Sequence, residues 1–181
     1  MSNSTFIYDN ALSSYNIGNN HPMKPIRLSY VFELLKSYGI FSSPNTTIIK
    51  PQIASEKDLL LFHTPEYINA VKNLNSNTNY TTPNEFNIGY GDNPTYPNMY
   101  ESATLVVGAS ILAANQIYSG KYSSIFNIAG GLHHAMPNNA SGFCIFNDPV
   151  IAIKTLLDLG LKVAYIDIDC HHGDGVQQAF Y

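Results

Sequence analysis

Tryptophan is absent from this chain, cysteine appears only twice in 181 residues, and just 12% of the residues are charged. Each shortage excludes something. Cys144 and Cys170 have neither zinc-finger nor CxxC spacing, which removes a disulfide framework and reads as reduced thiols of a cytoplasmic protein. The nine basic residues are scattered and the net charge is −4, so no surface for phosphate contacts is indicated and no direct nucleic-acid partner is expected. No apolar run reaches the roughly 18 residues a membrane span needs. The start, "MSNSTFIYDN", lacks the basic and apolar regions of a secretory leader. What is abundant is apolar content, 45% of the chain, enough for one domain with a substantial core. Nothing in the composition points to an oligomeric state.

Local patterns predict an α/β domain. "TFIYD" (Thr5–Asp9) is a short β-prone run. In "PIRLSYVFELLKSYG", Leu28, Val31, Phe32 and Leu35 recur at helical spacing, with Gly39 where a helix would end. Ser55 opens a capping box, and Thr64 stands as N-cap before Pro65. The Asn- and Thr-rich stretch from Asn75 to Asn98 reads as a long loop. Met99–Tyr118 is apolar nearly all round, hence a buried helix stopped by Gly120. Ser123–Ala129 is a strand candidate, followed by a helix with Asp148 as N-cap, Pro149 at the first position and Gly160 at the end. "LKVAYIDID" (Leu161–Asp169) is apolar enough for a strand in the buried middle of a parallel sheet. Strand, helix and strand over Ser123–Asp169 make a βαβ unit.

Chemistry-bearing residues collect after the two later strands. "GGLHHA" follows the first and "DCHHGDG" the second, and ligands bind outside the carboxyl ends of parallel strands. Alternation along a strand puts Asp167, Asp169 and His171 on one side and Ile168, Cys170 and His172 on the other. The two carboxylates would lie about 6.6 Å apart, repelling by about 2.5 kcal/mol at an effective dielectric of about 20. No Lys or Arg occurs from Val163 to Tyr181. Protonation, a hydrogen-bonding neighbour or a bound cation must therefore offset that repulsion. Asp-x-His on one face suits a divalent metal. His133 and His134 are candidate bases, and Asp167 and Asp174 are carboxylates able to orient them.

"HPMKPIR", "GYGDNPTYPNMY", "GGLHHAMPNNASGFCIFND" and "YIDIDCHHGDGVQQAFY" together resemble the zinc-dependent histone deacetylase superfamily, most closely its acetoin-utilisation branch. The resemblance covers essentially the whole chain. It implies an arginase-like fold, a three-layer parallel sheet with helices on both faces. Asp169 and His171 match two zinc ligands. His133 and His134 match the paired histidines beside the zinc-bound water, with Asp167 and Asp174 as their partners. Gly142 and Phe143 match the acyl-lysine tunnel, Asp92 the rim residue that holds the substrate backbone, and Arg27 a basic residue of the inner cavity. The implied activity is removal of acetyl groups from acetyl-lysine or a small acetylated amine. The implied cofactor is Zn2+, with Fe2+ as the alternative and K+ held partly by Asp167, Asp169 and His171.

Departures accompany the match. Ile145-Phe146 stand where Tyr-Val is common, and Cys170 fills an apolar slot. The third zinc ligand and a carbonyl-polarising tyrosine fall, in the family, beyond the last motif. The expectation is therefore one deacetylase-like domain over residues 1–181, incomplete at its C-terminus, with a non-catalytic fragment or binding module as the alternative. His21 and His63 carry no assigned role, and both cysteines are expected to be small buried residues.

Overall fold

The structure, a computed structural model, describes residues 3–76 and 84–181. Part of the expected 75–98 loop lies outside the described residues; the remainder contains a 3-10 turn, Asn84–Phe86. Among the described residues, β1 (Ser4–Ile7), β2 (Thr46–Ile49) and β3 (Ser124–Asn127) form a parallel sheet in the order β2-β1-β3. Phe6 lies opposite Ile48 on one side and Phe126 on the other. β1 and β3 are shorter than expected, because Asp9 caps a 3-10 turn and Asn127 Oδ1 accepts the Ala129 N–H instead of continuing the ladder.

Parallel neighbours need crossovers, and helices supply them. α1 (Ile26–Ser37) ends at Gly39, whose φ of +73° is open to glycine at little cost. Its Leu28, Phe32 and Leu35 pack on the Phe6 and Tyr8 side of β1, with Tyr8 and Phe32 stacked at 4.0 Å. Val31, expected on that face, is exposed instead. Helical spacing defines an arc wider than the sheet covers, and Val31 falls at its margin. α2 (Glu56–Leu59) opens with the expected capping box, Ser55 with Asp58. α3 (Pro65–Ser76) begins with Thr64 Oγ1 accepting the Tyr67 N–H.

α4 (Met99–Tyr118) is the central buried helix, packed on α3, α5 and β3. Met99, Ala103 and Val107 enter one core with Tyr67, Ile68 and Phe146, while Val106 enters the other with Phe6. At 20 residues it is the longest helix, yet among the described residues no helix is long and apolar enough to cross a membrane.

α5 (Asp148–Asp158) corrects an assignment: Asn147 is the N-cap, accepting from the Val150 N–H, and Asp148 is the first helical residue. α6 (Asp174–Phe180) follows the last motif. The larger correction concerns residues 161–169. They form no strand, and Ile166 and Ile168 are 82% and 95% exposed. The apolar composition does fit a ladder, but among the described residues no strand pairs with this segment. A strand exists only with a partner for its N–H and C=O groups.

Candidate metal-dependent active site

The His133–His134 loop is anchored from below by groups that cannot move independently of the core. Asp148, 1% exposed, accepts the Gly131 N–H at 3.1 Å, the Leu132 N–H at 2.8 Å and the Ser110 hydroxyl at 2.5 Å. Burial raises its pKa and those hydrogen bonds oppose the rise. Asn147, fully buried, donates Nδ2 to the carbonyls of His133 at 3.1 Å and Ala135 at 2.9 Å. His63 bridges the same region, Nδ1 to Met136 O and Nε2 from the Asn147 N–H, both at 3.0 Å. Such a fully paired network is where the energetic cost of any single deletion is highest.

Above that base the imidazoles are held at both ends. His133 Nδ1 lies 2.7 Å from Asp167 Oδ2, and His134 Nδ1 lies 2.7 Å from Asp174 Oδ1. With each Nδ1–H given to a carboxylate, the Nε2 atoms turn toward each other at 3.2 Å, close enough to share one proton. His133 is 6% exposed, and its bond to Asp167 holds that carboxyl down to about 2. Asp167 also accepts from Tyr165 Oη at 2.8 Å and the Asp169 N–H at 3.0 Å. Hydrogen bonds therefore offset the Asp167–Asp169 repulsion in this structure.

Asp169 and His171 lie across the cleft. Asp169 Oδ1 accepts the His171 N–H at 2.7 Å and stands 3.1 Å from His171 Nδ1. That backbone bond is the first cause of its lowered pKa. Both side chains face open space, and the His171 and His134 ring centres are 5.9 Å apart. A carboxylate oxygen and an imidazole nitrogen at this spacing fit a divalent cation.

The cleft has a volume of about 340 Å3 and is lined by Arg27, Asp92, His133, His134, Gly142, Phe143, Asp169 and His171 among others. Asp167 and Asp174 back the imidazoles and are not among the residues of its wall. Gly142 closes against His134, where any Cβ would collide with the ring. Phe143 is half-buried with φ at +70°, unusual for a bulky residue. Asn93 Oδ1 accepts its N–H at 3.1 Å, and the His21 ring packs edge-on at 4.7 Å. His21 Nε2 also lies 3.2 Å from the Asp92 carbonyl, so the segments carrying Asp92 and Phe143 are tied together. Cys144 is buried, which pushes its thiol up to about 12; Cys170, expected buried, is exposed.

Sequence reasoning missed Asn147, Asp148 as a loop anchor, Ser110, His63, Asn93 and Tyr165. Of these only Asn147-Asp148 carried a local signal, as adjacent cap-forming residues, and it was read one position late.

A parallel α/β sheet whose loop ends gather two carboxylate-backed imidazoles opposite an Asp-x-His pair defines a metallohydrolase-like class of site. Comparison with known proteins makes this specific. A family profile for the histone deacetylase domain matches residues 21–181. The acetoin utilization protein AcuC of Bacillus subtilis (strain 168) is 39% identical over 183 residues, covering 100% of this chain and 47% of AcuC. Histone deacetylase 2 of Oryza sativa subsp. japonica is 38% identical over 179 residues, covering 97% and 35%. The crystal structure of an HDAC homologue from Aquifex aeolicus superimposes with a TM-score of 0.88 at 33% identity, covering 98% of this chain and 48% of that one. An HDAC homologue complexed with SAHA gives the same TM-score at 32% identity, with 100% and 48% covered. The chain belongs to the histone deacetylase family and has its parallel-sheet fold. It spans about half the length, or less, of the relatives it matches.

Proposed function

We propose that this chain carries the acid–base half of a metal-dependent amidohydrolase that removes acetyl groups from acetyl-lysine or a similar acetylated amine. The observation that carries the reading is the pair of Nδ1–carboxylate bonds, both 2.7 Å, which aim two Nε2 atoms into one cleft opposite Asp169 and His171. Asp169 and His171 would hold the metal, for which zinc is the reading and Fe2+ the alternative; Asp167 would share with them a K+ behind it. Such an ion, when bound, polarises the acetamide carbonyl and brings the pKa of water toward about 7.

His134, with Asp174 on its far nitrogen, takes a proton from the attacking water at Nε2 and returns it to the leaving amine. His133, backed by Asp167, supplies mainly electrostatic support. Gly142 and Phe143 flank the acyl-lysine stem, and the Asp92 carboxylate at the rim holds the substrate's backbone N–H. Arg27 lends positive charge to the inner cavity, where the released carboxylate forms. The free thiols, Cys144 and Cys170, suit a reducing cytoplasm.

The test is metal analysis of the purified chain together with turnover of an acetyl-lysine peptide. His134→Ala should lower kcat by about 100-fold to 10,000-fold with metal content unchanged. Loss of metal with activity retained overturns the assignment. The open apolar surface of residues 161–169, with Ile166 and Ile168 exposed, favours a second reading, a non-catalytic binding module. Retained binding of the acetylated peptide to the metal-loaded chain, without turnover, selects it.

A further inference from the structure

The motif "HPMKPIR" supplies Arg27 to the proposed chemistry and leaves His21 and Lys24 without a part. His21 is nevertheless buried, at 9% exposure, while Asn19, Asn20, Pro22 and Lys24 around it are exposed. Its backbone is held first. The His21 N–H donates to Gly18 O at 3.3 Å, and Lys24 Nζ donates to Gly18 O at 3.0 Å and Asn19 O at 2.6 Å. The ring is held next. The Met23 N–H can only donate and lies 3.2 Å from Nδ1, so Nδ1 is the bare nitrogen. The proton is then on Nε2, which donates to the Asp92 carbonyl at 3.2 Å. The other tautomer, with Nδ1–H toward Met23 O at 3.4 Å, would set a bare Nε2 against that oxygen.

We propose that His21 is a positioning residue for the mouth of the cleft, an imidazole clamp that fixes the Asp92 carboxylate and the Phe143 ring relative to each other. Met23, Asp92 and Phe143 all line the cleft, and His21 touches all three. It bonds the first two through their backbones and packs edge-on against the third, with ring centres 4.7 Å apart and planes at 72°. None of the three lies in a helix or strand, so contacts of this kind are what place them.

Both ends of the clamp are places that the backbone by itself leaves loose or strained. Asp92 sits in a tight turn, with the Asn93 N–H on Tyr90 O at 3.2 Å and Gly91 at φ +56°, and its side chain is exposed. Its carbonyl and its carboxylate branch from one Cα, so a tether on the first limits the swing of the second. Phe143, at φ +70°, holds a conformation that persists for a bulky residue only where its surroundings impose it. Asn93 Oδ1 fixes its N–H at 3.1 Å, and the His21 edge meets its ring. None of these contacts involves residues 161–181, so this part of the mouth is formed without the exposed segment and without a metal.

The proposal rests on the deacetylase reading only in taking Asp92 and Phe143 as substrate contacts. It is tested on the full chain with two variants. His21→Phe keeps a ring against Phe143 and loses the donor; His21→Gln keeps a donor toward the Asp92 carbonyl and loses the ring. Imidazole nitrogen NMR of the unaltered chain should show His21 protonated at Nε2. In His21→Phe the amide resonances of residues 91–93 and 143 should move, and KM for an acetyl-lysine peptide should rise by about tenfold, the worth of one hydrogen bond, with kcat changing less. His21→Gln should restore most of both. Where the peptide binds without turnover, its Kd is read in place of KM. A proton on Nδ1, equal effects of the two variants, or a fall in kcat as large as the rise in KM would each overturn the clamp. Failure of the unaltered chain to bind or turn over the peptide removes the deacetylase reading instead; the nitrogen spectrum and the amide shifts then decide the clamp by themselves, and amide shifts spread through the core instead of the mouth would overturn it.

Discussion

Replacing His63 by Gln should flatten the acid limb of this protein's stability curve. His63 is 2% exposed and packs among the rings of Phe62, Tyr67 and Phe146. The Asn147 N–H can only donate, so Nε2 is the bare nitrogen and Nδ1–H points to Met136 O. Protonation would set two donors against each other and place a charge among aromatic rings. Burial accordingly pushes the pKa from 6.5 down to about 4. With the folded value below the unfolded one, the unfolded chain takes up a proton that the folded chain refuses, and stability rises with pH across that window. The contribution is fully present above the unfolded value and is lost as pH falls toward 4. Integrated from pH 7 to pH 4, the loss is about 3 kcal/mol. The chain has no tryptophan, so urea unfolding is best followed by far-ultraviolet circular dichroism at both pH values. His63→Gln should cost about 1–2 kcal/mol at pH 7 through imperfect bonding, and the gap should close or reverse by pH 4. Asp148, raised by burial, acts in the opposite sense but is common to both proteins and cancels. Parallel pH profiles for the two proteins would refute the neutral, buried imidazole.

Asp148→Ala strands the N–H groups of Gly131 and Leu132 and the Ser110 hydroxyl; at about 1–3 kcal/mol for each stranded group it should cost at least about 3 kcal/mol in thermal unfolding. Gly108→Ala drives a Cβ into the Gln52 carbonyl where α4 lies directly on that backbone; a loss of about 2 kcal/mol or more, by urea midpoint, is expected. Asn93→Ala removes the acceptor that holds the Phe143 N–H at positive φ; it should cost about 1–2 kcal/mol and raise KM for an acetyl-lysine peptide more than it lowers kcat.

Elements specified by their own residues were readable in the sequence. The bounds of Met99–Tyr118 follow from one apolar run and Gly120, and the capping box at Ser55 from two side chains three positions apart, Ser55 and Asp58. What depends on distant partners was read poorly. β2, "TTII", offers four β-branched residues but no apolar alternation, and only its pairing with β1 makes it a strand. Residues 161–169 have the composition of a buried strand and none of the pairing. At the site, the histidines and aspartates stood out because such clusters are costly to fold without a purpose. Ser110 and His63 did not, because a polar residue that serves by bonding groups 17 to 84 positions away leaves no local pattern.

Among the described residues the two sides of the cleft are tied to the core to different extents. The His133–His134 side is tied to the core by Asn147, Asp148 and His63, all buried. The Asp169–His171 side is exposed, and its own bonds are short-range ones, from Asp169 to the following residues and from Asp167 to Asp169. Its long-range ties among the described residues pass through the flanking carboxylates, Asp167 to His133 and Asp174 to His134. In the proposed reaction, proton transfer demands fixed imidazole geometry before substrate arrives, which the buried, fully paired network beneath His133 and His134 would provide. A ligand set that closes around an ion gains its order from the ion, because binding free energy is then ordering free energy. The Asp167–His133 bond joins the two, so ordering Asp169 and His171 around a metal also steadies the carboxylate that fixes the tautomer of His133.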